Sequence, residues 1–165
     1  TVDGGEVYRL NGNEVDPGMM KEAIAENSDD DISIITSDRE MIAQIPGVRE
    51  IMLNYIPEGW ENGEYKYSRM DGTQFYAETY YSKQNQKDIR YRSVSFENMD
   101  SVSNEIQQDA AGIEKRINEV NVYFTNNNEV AVATWNIDLS NYTLFAPVSE
   151  EEMQKMIESI KEVNK

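Results

Sequence analysis

The chain has no cysteine and no histidine in its 165 residues. That removes thiol nucleophiles, imidazole bases, disulfides, structural zinc and histidine-bound haem together. It is also poor in cations: 15 Lys and Arg stand against 31 Asp and Glu, a formal charge of -16. Gripping a nucleic-acid backbone or an anionic headgroup layer needs clustered positive charge, so neither is an expected partner. No apolar run approaches the roughly 18 residues that cross a bilayer, and no signal peptide is present. The G-x-S-x-G, Walker and G-x-G-x-x-G patterns are missing too. What is there is 39% hydrophobic and 10% aromatic, including ten tyrosines. That is enough to bury a core, and the length fits a single domain over 1–165.

Turn chemistry divides the chain. Asn11-Gly12, Asn62-Gly63 and Asp71-Gly72 each have the residues that a two-residue hairpin turn favours. The first predicts a hairpin of Val7 to Leu10 with Asn13 to Val15. Asp16-Pro17 then opens a helix to about Asn27, with Met20, Ala23 and Ile24 at helical spacing. Ile32 to Thr36 reads as a strand, and Ser37-x-x-Glu40 as the capping box of a short helix. Residues 1–47 thus form an N-terminal hairpin with helices, and 48–165 are mostly strands. Ile51 to Ile56, Tyr65 to Met70, Thr73 to Ser82, Lys87 to Phe96, Ile113 to Thr125, Glu129 to Ile137 and Asn141 to Pro147 are the expected strands. Asn98 to Ala111 is polar and reads as a loop with a helical turn. Ser149 caps a terminal helix whose first turn is Glu150-Glu151-Glu152 and whose stripe is Met153, Met156, Ile157, Ile160 and Val163. The expected fold is α+β: an antiparallel meander of about six to seven strands, with the C-terminal amphipathic helix and the N-terminal helices packed on one face.

With imidazole and thiol gone, chemistry would fall to carboxylates, Lys, Tyr or Ser. Asp29-Asp30-Asp31 lacks the spaced oxygen ligands of a calcium loop and reads as a solvated turn. The Glu150 to Glu152 run is explained by its place at a helix start. No catalytic residue, metal ligand or cofactor is expected, although a carboxylate pair meeting in space would leave a hydrolase reading open. The unusual stretch is 65–92, with six cations (Lys66, Arg69, Lys83, Lys87, Arg90, Arg92) against three acids (Asp71, Glu78, Asp88) and six of the ten tyrosines. Tyr and Arg are the residues that dominate interaction hot spots. A three-residue loop at Gln84-Asn85-Gln86 would put Tyr80 opposite Arg90 and Glu78 opposite Arg92, leaving Lys66, Arg69 and Lys83 without partners; a two-residue loop would pair Glu78 with Ser93 instead. The first register makes Tyr76, Glu78, Tyr80, Arg90 and Arg92 one candidate binding face. Cross-strand pairing that neutralises the sheet internally is the plainer account of the same residues.

Several landmarks recur in one order: Ile56-Pro57-Glu58-Gly59-Trp60, strands through Tyr76 and Tyr91, Val130 to Trp135, Tyr142, and the Ser149-Glu-Glu-Glu-Met helix. That order, over about 48–163, resembles the domain-of-unknown-function family numbered 4367. The resemblance implies a place outside the membrane of Gram-positive bacteria, on membrane-anchored or lipoprotein-like proteins often encoded with sigma or anti-sigma factors. It carries over no catalytic residues. Thr1, in place of a Met, and the tether-like Thr1 to Gly5 fit a cytosolic protein with a clipped start as well as the soluble part of a secreted or membrane-anchored one. The resemblance implies the second, with an anchor or export signal upstream as the chain's only membrane contact. The expected function is a non-enzymatic extracytoplasmic module that senses or binds a protein or small ligand. The alternatives are a lipoprotein-carrier-like domain that holds an apolar ligand between sheet and helices, and the carboxylate-based hydrolase. One prediction is independent of these: metal chelation should leave the melting temperature unchanged, and a fall of many degrees on calorimetry would expose a site in the acidic runs.

Overall fold

In the computed structural model, residues 5–26, 29–84, 86–96, 112–127 and 129–164 are described. Ten strands form one sheet: β1 Val7–Leu10, β2 Asn13–Glu14, β3 Ile32–Thr36, β4 Trp60–Met70, β5 Thr73–Ser82, β6 Ile89–Phe96, β7 Ile113–Ile117, β8 Val120–Asn127, β9 Val130–Ile137 and β10 Ser140–Ala146. The helices are α1 Pro17–Glu26, α2 Arg39–Ala43 and α3 Glu150–Glu158. Strand order is β2-β1-β3-β4-β5-β6-β10-β9-β8-β7, and every pair is antiparallel. Two meanders therefore run toward each other and meet where β10 lies along β6, from Ser140↔Ser95 to Phe145↔Arg90.

The count exceeds the expected six to seven for local reasons. The N-terminal hairpin and β3 join the same sheet, through Val7↔Ile35 and Ile34↔Tyr67, so 1–47 is not set apart from it. Ile113 to Thr125 is two strands, because the chain turns at Asn118 with φ 55. The tight turns at Asn11-Gly12 and Asp71-Gly72 form as expected, with positive φ at all four residues.

Three expectations fail. Asn62-Gly63 makes no hairpin; it is a bulge inside β4, where the pairing with β5 shifts between Asn62 and Glu64. The Tyr81 ring lies over Gly63, where an added Cβ would fall 2.2 Å from it, so a larger residue there would have to displace that half-exposed ring. Ser37 does not cap α2; Asp38 does, accepting from the Glu40 N–H at 3.0 Å. Ile51 to Ile56 is not a strand either. A 3-10 turn, Arg49–Ile51, leads into irregular backbone whose donors go to side chains. The Leu53 N–H bonds Glu78 Oε2 at 2.8 Å, and the Asn54 N–H bonds Ser159 Oγ at 2.9 Å. Asn27, Asn85, Asn128 and the polar stretch 98–111 lie outside the described residues.

One core cluster joins α1 (Met20, Ile24), α2 (Met41, Ile42) and α3 (Met153, Met156, Ile157) to Ile34, Tyr67, Tyr91, Trp135 and Leu144 of the sheet. Ser149 caps α3, its hydroxyl accepting from the Glu152 N–H at 3.2 Å. The helix ends at Glu158, so Ile160 reaches the core from the link that follows and Val163 from the 3-10 turn Lys161–Asn164. Met153, Met156, Ile157 and Ile160 are all fully buried. Ile157→Ala should therefore lower unfolding free energy by about 2–5 kcal/mol in urea denaturation. A loss below about 0.5 kcal/mol would mean the stripe is not packed.

Candidate functional site

Side chains alternate across a strand, so register decides which residues share a surface. Between β5 and β6 it is Tyr76↔Ser93, Ala77↔Arg92, Glu78↔Tyr91, Thr79↔Arg90 and Tyr80↔Ile89. Neither sequence-based register occurs. The five residues expected on one face are split: Tyr76, Glu78 and Tyr80 are buried with Ile89, Tyr91 and Ser93, while Arg90 and Arg92 lie exposed on the other side. The reason is visible along β6, where Ile89, Tyr91 and Ser93 alternate with Arg90 and Arg92. A slip of one residue would set the guanidinium groups among the buried tyrosines. Lys66 and Lys83 are not unpaired; they reach Glu64 at 3.4 Å and Glu61 at 3.2 Å. Arg69 Nη2 donates to the Asp30 carbonyl at 2.9 Å.

On the covered face, aromatic rings cross the sheet in a row. Tyr76 meets Tyr91 edge-on at 6.4 Å, Tyr91 stacks on Trp135 at 6.2 Å, and Trp135 stacks on Tyr142 at 5.5 Å. Such pairs add about 0.5–1.5 kcal/mol each beyond area burial. Beside this row lies Glu78, with no solvent exposure. One oxygen accepts the Leu53 N–H and the other the Tyr80 hydroxyl. Tyr80 in turn packs edge-on against Tyr65, with ring centroids 6.5 Å apart. Burial pushes the Glu78 carboxyl up from 4.5 to about 7, against the opposing pull of Tyr80, the Leu53 N–H, Tyr76 and Arg39. Burial, with Glu78 beside it, pushes the Tyr80 hydroxyl up as well. A carboxyl this deep fastens the segment after Ile51 to the sheet; it does not meet a solvent-borne substrate.

The opposite face carries the site. A groove of about 670 Å³ runs over β4, β5, β6 and β10, with Lys66, Phe75, Thr79, Arg90, Arg92 and Phe145 in its lining. Lys87, Asp88, Ala77 and Val130 also line it, as do Glu78 and Tyr91, both of which are fully buried. The Arg92 guanidinium lies over the Phe145 ring, 5.6 Å from its centroid. Arg90 keeps 71% of its side chain exposed, and its nearest carboxylate oxygen, on Asp88, is 4.0 Å away. Four cations and two acids, of which Glu78 has its side chain buried, surround two phenylalanines and suit an anionic group next to an apolar one. Arg90 and Arg92 stand out in the sequence through their Tyr- and Arg-rich surroundings. Phe145 does not, because only the pairing Phe145↔Arg90 brings β10 beside them. Among the described residues, no three Asp or Glu gather to hold a metal ion.

Fold and site define an α+β protein built on one wide antiparallel sheet, with a basic, aromatic groove on its exposed face. The family described as "Domain of unknown function (DUF4367)" matches residues 50–160, most of the chain, and the protein belongs to that family. No curated protein and no solved structure matches it.

Glu78 supplies a pH test. The folded protein holds this proton more tightly than the unfolded chain, so stability is complete below about pH 4.5 and is lost as pH rises through about 7. The gap between 4.5 and 7 corresponds to on the order of 3 kcal/mol. In Glu78→Gln, whose amide oxygen can accept the Leu53 N–H while its NH2 donates to the Tyr80 hydroxyl oxygen, the fall in unfolding free energy between about pH 5 and about pH 8 should shrink by that amount. The same slope in variant and parent would show that Glu78 does not titrate in this range.

Proposed function

We propose that this chain is a non-enzymatic extracytoplasmic binding module, carried by a membrane-anchored or lipoprotein-like bacterial protein. Its open sheet face docks an acidic, aromatic-bearing segment of a partner protein. The observation that carries the reading is the groove. Lys66, Lys87, Arg90 and Arg92 gather there in a chain of net charge -16, beside Phe75 and Phe145. Concentrated opposite charge gives orientation and a fast on-rate, and the rings give the apolar anchor. In this reading the helices pack on the other face, since the sheet residues they share a core with all point that way. The groove face is thereby left for the partner. The location rests on the family resemblance; among the described residues no helix is long and apolar enough to cross a membrane.

The probe is an acidic peptide that alternates Glu and Phe. It should bind the parent with an affinity that falls as salt is raised. Arg90→Glu with Arg92→Glu should weaken binding at least about tenfold with an unchanged melting temperature, since both side chains are exposed. Equal affinity for parent and double variant would remove the groove as the docking surface. For location, protease added to intact cells should cleave the full gene product; complete protection would overturn the extracytoplasmic reading.

A further inference from the structure

A second cavity, on the covered face, belongs to none of the surfaces above. Three serines on neighbouring strands leave a depression there, because Ser93 pairs with Tyr142, and Ser95 with both Gln74 and Ser140. Larger rings stand around it: Tyr76 is opposite Ser93, and Tyr67 is opposite Tyr76. The 46–51 segment forms its outer wall through Pro46, Gly47, Val48 and Ile51, and Glu162 closes one side. The cleft is partly open to solvent and holds about 230 Å³.

Its polar groups are only partly used. Ser95 Oγ and Ser140 Oγ bond each other at 2.6 Å, and the Tyr67 hydroxyl donates to Gln74 Oε1 at 3.0 Å. Among the described residues the Tyr76 hydroxyl and Ser93 Oγ reach no partner at hydrogen-bond geometry, although Tyr142 lies beside Ser93 and the two residues are only 2% and 1% exposed. Burying such groups without a partner is costly, so two of them along one cleft call for a ligand or ordered water. Tyr76 also faces Glu78, which pulls on its hydroxyl, but the hydroxyl stays outside hydrogen-bond geometry.

We infer that this cleft is a binding site for a small neutral polyhydroxyl ligand, of the size of a single sugar ring. Among the described residues no Lys or Arg lines it and Glu162 does, which disfavours an anion. Most of its polar groups are hydroxyls, on Tyr76, Ser93, Ser95, Ser140 and Tyr142, and each can both donate and accept. That matches ligand hydroxyls, which do the same. The tyrosine rings supply flat apolar walls for the C–H face of a sugar. The volume equals that of about eight water molecules at about 30 Å³ each, too little for an extended acyl chain. The site lies on the opposite side of the sheet from the basic groove and does not depend on the partner-docking reading.

The test uses the whole chain, isotope-labelled and titrated with D-glucose and N-acetylglucosamine, with methylammonium as the competing chemistry. One of the sugars should shift the amide signals of Gly47, Ser93, Ser95 and Ser140 saturably below about 50 mM. Tyr76→Phe and Ser93→Ala should each weaken that binding at least about tenfold. Without sugar, Tyr76→Phe should melt at the same temperature as the parent or higher, because it deletes an unpartnered hydroxyl. No saturable shift with either sugar means ordered water only and overturns the proposal. Saturation by methylammonium alone would overturn it in favour of a cation site. Full sugar affinity in both variants, or a clear drop in the melting temperature of Tyr76→Phe, would show that these hydroxyls serve the fold and not a ligand.

Discussion

The pairing of β5 with β6 governs what each side of this sheet can do. With Glu78 opposite Tyr91 and Thr79 opposite Arg90, the aromatic positions of both strands face one way and the arginines the other. A one-residue slip would exchange the two sets on one strand, bury the Arg90 and Arg92 guanidinium groups and expose Ile89 and Tyr91. Ion burial without a partner costs several kcal/mol, so this register is held by the whole hydrophobic face and not by any single contact. The remaining strands inherit it. Tyr65 and Tyr67 on β4, Tyr142 and Leu144 on β10 and Trp135 on β9 are aligned through successive pairings with the same face.

That alignment also explains how an acidic residue comes to sit in the core. Glu78 occupies an inward position between Tyr76 and Tyr80, where alternation would call for another apolar side chain. It is retained where the segment after Ile51 lacks a strand neighbour and its Leu53 N–H would otherwise be buried without an acceptor. The carboxyl satisfies that donor and the Tyr80 hydroxyl together. The cost of burying it appears as its raised affinity for a proton. Stability is thus coupled to pH at one interior position, while the exposed acids carry most of the net charge.

The two faces consequently offer different chemistry. The covered face is crossed by stacked rings and has one polar depression where serines replace larger side chains. The open face carries cations over aromatic and aliphatic groups. Sheet width matters to both, since neither the groove nor the serine depression exists within one hairpin. Each needs β10 to return beside β6 and close the gap between the two meanders.

Much of the local structure was determined by the sequence alone. Asn11-Gly12 and Asp71-Gly72 form tight turns because few residue pairs adopt positive φ so readily. The strand Ile32–Thr36, the helix from Pro17 and the capped helix at Ser149 follow from alternation, a rigid first-turn proline and a hydroxyl cap. The cation and tyrosine excess of 65–92 was also plain, and with it the interest of Arg90 and Arg92. Only the tertiary structure decided that Asn62-Gly63 is a bulge, because the deciding contact is the Tyr81 ring on the neighbouring strand. The same holds for Ile51 to Ile56, whose apolar residues suit a strand but whose donors find side chains from β5 and the C-terminal turn. The partition of Tyr76, Glu78 and Tyr80 from Arg90 and Arg92 was hidden because an uncertain loop length leaves the register open by one residue. In a sheet one residue is the whole distance between two faces, and only the summed burial of all its strands chooses between them.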